Sequence, residues 1–257
     1  MKRILVIGIG AGNPDYLTVQ AIKALNRADV FFVMDKGAAK SKLIALRREI
    51  VERYATERGY RVVEATSPER GPDGGSYVGA VETLNRDKQA VFERLIADEL
   101  HDGECGAFLV WGDPSLYDST LRILDAILAD GRLHFDYEVI PGISSVQALA
   151  ARHRVPLNAI GRAFEVTNGR GLAEGGFPPR ADSVVVMLDA QNAFTRLGGS
   201  DLDIFWGAYV GTPDEILMSG PLDEVRDEIV RVRAEARERH GWIMDTYLLR
   251  KRARGNG

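Results

Sequence analysis

Through the first half of the sequence, short apolar runs alternate with longer amphipathic stretches, a rhythm that predicts strand-helix-strand units laid into a parallel sheet. Residues 4–7, 30–34, 61–65, 107–111 and 137–140 read as five strands, each bounded by glycine, proline or a charged residue. Between them apolar residues recur at helical spacing, as in Val81, Leu84, Val91 and Leu95, or Leu121, Leu124 and Leu128, which predicts helices on both faces of the sheet. After Pro141-Gly142 the rhythm changes. A short helix carrying Val146, Leu149 and Ala150 precedes Pro156, and strands follow at 164–167, 184–188, 204–210, 216–219 and 242–249. A last helix aligns Leu222, Val225, Ile229 and Val232 on one face. The segment Gly211-Thr212-Pro213-Asp214 suits a tight turn, so two of these strands pair antiparallel within a mixed sheet. The predicted fold class is α/β with two unlike α/β domains, residues 1–143 with a five-stranded parallel sheet and 144–257 with a mixed five-stranded sheet. The glycine- and proline-rich stretches 67–79 and 169–179 read as long loops.

Composition narrows the function classes. The chain has 257 residues, 45% of them hydrophobic, enough to bury a core without a disulfide or metal staple. Its lone cysteine, Cys105, and an opening apolar run too short for a secretory leader predict a cytoplasmic protein. A net charge of -4 gives no electrostatic reason to expect nucleic acid as a partner. No apolar run approaches the roughly 18 residues that span a bilayer, so no membrane is expected. The four histidines, His101, His134, His153 and His240, lack ligand spacing, so no metal is expected.

Three unusual turns end strands one, four and five. The first is Gly8-Ile9-Gly10-Ala11-Gly12-Asn13-Pro14, which approaches a dinucleotide fingerprint but breaks it with Asn13 at the sixth position and Pro14 where a helix should be running. The second is Trp111-Gly112-Asp113-Pro114-Ser115-Leu116-Tyr117-Asp118, and the third is Pro141-Gly142-Ile143-Ser144-Ser145. In an open parallel sheet the ligand crevice lies beyond the carboxyl ends of the strands, where these turns converge. Each taken alone also reads as a turn with a capped helix start.

In order and spacing, segments 8–21, 111–119 and 140–156 resemble the signature turns of the tetrapyrrole methylase family, and the likeness covers essentially the whole chain. The resemblance implies an S-adenosyl-L-methionine-dependent methyltransferase, usually a homodimer, with the methyl donor folded in the cleft between two α/β domains. Donor contacts carry over to Ala11, Trp111, Gly112, Asp113, Leu116, Ser144, Ser145, Met187, Gly211 and Met244. The first turn, through Gly10, becomes part of the substrate cleft. The stretch from Val110 to Thr120 and the segment Gly241 to Leu249 are nearest to members that methylate carbon 1 of precorrin-5 and release its acetyl group as acetate, in the aerobic route to cobalamin. Two departures stand out. The glycine-lysine-arginine motif of uroporphyrinogen methylases is absent between Glu64 and Gly79, and Asp118 replaces a glycine common after the aromatic residue.

Methyl transfer from a sulfonium needs alignment and exclusion of water more than acid-base equipment. Asp35 matches an aspartate position that takes up the ring proton in relatives, though a helix cap is its other reading. Deacetylation needs a base and an oxyanion donor, for which Asp118, Tyr117 and Asp245 are candidates. Lys36, Arg86 and Arg170 are candidate clamps for the substrate's carboxylates. Rival readings are a methyltransferase for another precorrin, a non-catalytic small-molecule binding protein and an NAD-type oxidoreductase.

Overall fold

The computed structural model describes residues 1–35, 41–68, 77–198 and 201–252, and the chain divides into two compact units, Met1–Ser144 and Ser145–Gly257. In unit 1 the elements run β1 (Lys2–Gly8), α1 (Val19–Leu25), β2 (Val30–Asp35), α2 (Ser41–Tyr54), β3 (Arg61–Thr66), α3 (Tyr77–Asp98), β4 (Cys105–Val110), α4 (Thr120–Ala129) and β5 (Phe135–Ile140). The five strands form one sheet in the order β3-β2-β4-β1-β5, and every pairing is parallel. Side chains alternate between its faces. Ile4 and Val6 of β1 pack with Phe92, Ile96 and Leu124 from α3 and α4, whereas Leu5 and Ile7 pack with Ala24, Leu25, Ile50 and Val51 from α1 and α2. Both faces are covered, which is why the strands read as apolar runs.

Two features of this sheet position the site. The connection from β1 runs towards β2 on one side, and that from β4 runs to β5 on the other. The turns after β1 and β4 therefore lie at a topological switch point. The second feature is a fork. β2 pairs with β4 only from Val30↔Gly106 to Phe32↔Phe108. Beyond it, β2 stays with β3 as far as Asp35↔Thr66 and β4 stays with β1 as far as Gly8↔Val110.

Unit 2 contains α5 (Ser145–His153), β6 (Phe164–Asn168), α6 (Gly169–Gly175), β7 (Ser183–Met187), β8 (Leu202–Ala208), β9 (Ile216–Pro221), α7 (Leu222–His240) and β10 (Asp245–Lys251). Its sheet is mixed, in the order β6-β7-β10-β8-β9. β6 and β7 pair parallel; the other three pairings are antiparallel, including β8 with β9 across the expected Gly211–Asp214 turn. Trp206, Tyr247 and Phe194 are fully buried against Leu222 and Ile229 of α7.

Three expectations are corrected here. Gly169–Gly175 is a helix rather than loop, capped by Asn168, whose side chain accepts a hydrogen bond from Gly171 N at 2.9 Å. Two of its glycines are there for space: a Cβ at Gly169 would lie 2.6 Å from Asp189 Cγ, and one at Gly171 2.5 Å from Thr167 Oγ1. Of the stretch expected as a loop at 67–79, residues 77–79 belong to α3, and residues 69–76 lie outside the described residues. The last strand starts at Asp245, not residue 242, and lies at the centre of its sheet. No helix among the described residues is long and apolar enough to cross a membrane.

Candidate active site

The turns after β1, β4 and β5 are tied together backbone to backbone. Ile9 N donates to Val110 O at 2.9 Å, and Gly10 and Gly112 exchange bonds of 2.8 and 3.2 Å, an antiparallel bridge at the end of a parallel ladder. Asp113 ties in the third turn: its Oδ2 accepts from Gly142 N at 2.9 Å and its Oδ1 from Ser115 N at 2.8 Å and from the Ser115 hydroxyl. The approach requires glycine. A Cβ on Gly142 would overlap Gly112 O and lie 2.8 Å from Gly8 C, and one on Gly8 would lie 2.6 Å from Gly142 N. Gly8 of the first turn thus serves contact between main chains.

Burial pushes the Asp113 carboxyl up, but its hydrogen bonds from Ser115 and Gly142 outweigh that and hold it below the ordinary carboxylate value. A carboxyl lowered on folding adds stability that is present above its unfolded pKa and is lost as pH falls through the folded value. Asp113→Asn is therefore expected to cost about 1–2 kcal/mol at neutral pH. Urea unfolding of both proteins from pH 7 downwards should show the gap closing below the ordinary carboxylate range; a gap independent of pH would refute this role.

Other expected residues fall around the same turns. Ala11 is buried, Leu116 N donates to Asp113 O at 3.2 Å, and buried Ser144 places its Cα 3.6 Å from where a Cβ on Gly112 would stand. Tyr117 has a left-handed backbone (φ 53°) and is 43% exposed, and partial burial of its phenol pushes the pKa up, keeping it a proton donor. Asp118 Oδ1 accepts from Thr120 N at 2.7 Å at the start of α4. Arg86 is exposed on α3. Asp35 ends β2, but its side chain lies outside the described residues, as does Lys36 altogether.

Where β2 and β4 part, the fork opens a cavity of about 100 Å³, lined by Arg47, Lys88, Trp111, Asp118 and the rings of Phe92 and Phe108, among others. Arg47 reaches in from α2. Its Nε donates at 3.2 Å to Leu109 O, beyond the last β2–β4 pairing, and its Nη1 donates to Leu43 O at 3.0 Å. Burial pushes its pKa down to about 10, against the opposing pull of the Asp118 carboxylate. Arg47 and Lys88 escaped the sequence reading, yet both interrupt apolar stripes: Leu43-Arg47-Ile50-Tyr54 on α2, and Leu84-Lys88-Val91-Leu95 on α3. A cation in a slot that periodicity reserves for the core was the available signal.

In unit 2, Met187 ends β7 and Met244 immediately precedes β10, both at the same end of the sheet. Met244 O accepts from Tyr209 N at 2.9 Å. Leu188 and Tyr209, which follow β7 and β8, are left-handed (φ 52° and 51°), and Leu188 is 65% exposed. Such conformations cost energy for residues with a Cβ and concentrate at functional sites. Gly211 N donates to Glu215 Oε2 at 2.8 Å, Ser145 opens α5, and Arg170 lies on α6. Asp245 is unsuited to acid-base work, because both its oxygens bond Arg233, at 2.9 and 3.2 Å, and Oδ2 also accepts from Trp206 Nε1 at 3.0 Å. Among the described residues, no group of three or more His, Cys, Asp or Glu is placed to hold a metal ion.

Comparison with known proteins adds an independent finding. The profile of the Tetrapyrrole (Corrin/Porphyrin) Methylases matches residues 3–226. A relative from Sinorhizobium sp, named precorrin-6A synthase [deacetylating], is 51% identical over 253 residues, covering 98% of this chain and 97% of that protein. The crystal structure of a cobalamin-synthesis-related protein (CobF) from Corynebacterium diphtheriae superposes with a TM-score of 0.84 at 38% identity, covering 98% of this chain and 100% of that one. The uroporphyrin-III C-methyl transferase of Thermus thermophilus, solved with S-adenosyl homocysteine, shares the fold at a TM-score of 0.57 and 22% identity, covering 96% of each chain. With its parallel and mixed sheets, its hydrogen-bonded glycine turns and a profile match reaching into both units, the chain belongs to the tetrapyrrole methylase family.

Proposed function

We propose that the protein is an S-adenosyl-L-methionine-dependent methyltransferase that methylates carbon 1 of precorrin-5 and releases the acetyl group of carbon 20 as acetate, giving precorrin-6A in aerobic cobalamin biosynthesis. The observation that carries the reading is the 51% identity, over 98% of this chain, to the Sinorhizobium protein named for that reaction. We read the enzyme as a cytoplasmic homodimer.

The residues fit the donor. None of the contact residues carried over from the resemblance is cationic: Ala11, Trp111, Gly112, Asp113, Leu116, Ser144, Ser145, Met187, Gly211 and Met244 offer main-chain groups, small polar groups and apolar surface. That set suits a cationic sulfonium better than a pyrophosphate. When bound, S-adenosyl-L-methionine supplies the methyl group from its sulfonium.

The chain's own task is to align and to keep out water. The bridged Gly10–Gly112 turns provide a rigid floor, so that little freedom is lost when substrate binds. Asp35 takes the proton that the macrocycle loses, and Lys36 and Arg86 pair with its carboxylates. For acetyl release, water adds to the acetyl carbonyl, the bond from that carbon to carbon 20 breaks, and the electron pair stays with the conjugated ring. Asp118 accepts the water's proton and Tyr117, kept protonated, donates to the developing oxyanion.

Asp118→Asn keeps an oxygen for the Thr120 N–H and so keeps the helix start. It is expected to slow acetate release by about 10²–10⁴-fold while donor binding is unchanged. The parent test is a single turnover with precorrin-5 and methyl-labelled donor, read by mass spectrometry. Labelled tetrapyrrole together with free acetate supports the reading, and label without acetate moves the enzyme to another precorrin.

A further inference from the structure

Among the described residues, five that carry a Cβ have left-handed backbones: Tyr117, Arg154, Leu188, Asn192 and Tyr209. Such a backbone costs energy wherever a Cβ must be carried, and glycine would remove the cost. Only Tyr117 and Leu188 among them are also large, hydrophobic and exposed, at 43% and 65%. Tyr117 already has a part in the proposed reaction; Leu188 has none. With most of its side chain in water, burial does not offset the strain at Leu188. The chain on either side imposes it. Met187, before it, is in register with Asn168 of β6 and Thr246 of β10. Asp189, after it, is 4% exposed, and its carboxylate accepts from Gln191 N at 2.9 Å, Ala193 N at 2.6 Å and Tyr247 Oη at 2.7 Å. The Asp189 carbonyl accepts from Arg233 Nη2 at 2.7 Å, and α6 closes on the same residue, so that a Cβ on Gly169 would stand 2.7 Å from Asp189 Cα. Strain held this firmly from both sides is the pattern of a functional position.

What packs on Leu188 is small. The other exposed large hydrophobic residues described in unit 2, Ile160 and Phe164, belong to the opposite end of the sheet. Phe164 is in register with Ser183 at the start of β7, and Leu157 and Ala163, on either side of Ile160, bond Ser183 and Asp182. A stable protein partner needs roughly 800 Å² of each surface, far more than one leucine offers. Leu188 shares its end of the sheet with Met187, Tyr209 and Met244. We propose that Leu188 is a further donor-binding residue, and that its side chain packs on the adenine of S-adenosyl-L-methionine. Adenine is the donor's broad, flat surface, and an aliphatic side chain is what such a ring packs against in ligand sites. The choice of ligand rests on the methyl-donor reading above; the strain at Leu188 does not.

The experiment is calorimetric titration of the full-length protein with S-adenosyl homocysteine, with thermal melting of the same samples. Leu188→Gly relieves the backbone and removes the side chain, so it is expected to melt no lower than the wild type and yet to bind about tenfold more weakly. Leu188→Asn tolerates the left-handed backbone without adding chain freedom and should lose as much affinity. Leu188→Met, still apolar and of similar volume, should keep most of it. A leucine with a purely structural role would give the reverse, altered melting with unaltered binding. Unchanged affinity in both Leu188→Gly and Leu188→Asn overturns the proposal. A second titration uses 5′-methylthioadenosine, which keeps the adenine and lacks the amino-acid part of the donor. An equal loss there supports the adenine contact, whereas a loss confined to S-adenosyl homocysteine overturns it. If the wild type binds neither compound, the methyl-donor reading falls and takes this proposal with it; tight binding by the wild type and the variants alike sinks this site alone.

Discussion

Arg233→Met should destabilise unit 2 by about 3–5 kcal/mol, because it strands a buried carboxylate. Arg233 and Asp245 have side chains only 8% and 5% exposed. Around them runs a closed set of bonds: Arg233 Nη2 donates to Asp189 O at 2.7 Å, Tyr247 Oη to Asp189 Oδ2 at 2.7 Å, and Trp206 Nε1 to Asp245 Oδ2 at 3.0 Å. Burial, reinforced by Asp189, holds the Tyr247 phenol far above its ordinary pKa, so it remains a donor at any working pH. The double variant Arg233→Met/Asp245→Leu removes both charges and should recover most of the loss, since a buried pair replaced by apolar groups is often close to neutral. Chemical denaturation followed by tryptophan fluorescence decides the matter; a loss under about 1 kcal/mol for the single variant would mean that water reaches the pair.

Gly142→Ala is the second large effect, and it acts on the site as well as on stability. The atoms that the added methyl would strike, Gly112 O and Gly8 C and Cα, belong to main chain held in strands and bridges and cannot turn aside. Overpacking of this kind costs about 3 kcal/mol. It should also separate Gly142 N from Asp113 and disturb the Gly10–Gly112 bridge, so we expect donor affinity, measured by calorimetry at a temperature where the variant is folded, to fall more than tenfold. Gly59→Ala, where the methyl would meet nothing within 4 Å, is the control and should leave melting and binding unchanged. A Gly142→Ala protein that melts and binds like the control would show that the turns are pliable.

What could be read from residues alone follows the physics of each element. The parallel strands were legible because both faces of their sheet are covered, which leaves runs such as Ile4-Leu5-Val6-Ile7 almost without polar interruption. The three turns were legible because glycine, proline and aspartate occur where strands must end. The fork was not, since the point at which β2 leaves β4 is a matter of register between strands distant in sequence. Without the fork, Arg47 and Lys88 looked like ordinary helix cations. Helix α6 was misread because Gly169 and Gly171, there for close packing against Asp189 and Thr167, look like looseness in a one-dimensional pattern. Asp245 was misassigned for a related reason: only the fold shows that Arg233, twelve residues earlier, already occupies both its oxygens.

The central place of β10 has a consequence for how the protein is made. Within unit 2, this strand comes last from the ribosome, yet it joins β7 on one side to β8 on the other. Until it emerges, the sheet exists as two fragments, β6-β7 and β8-β9, each with an unpaired edge. Unit 1, whose five strands precede Ser144, can fold while the rest is still being synthesised. Unit 2 must wait for translation to pass Asp245–Lys251, and nascent chains halted before that point are the species most exposed to aggregation.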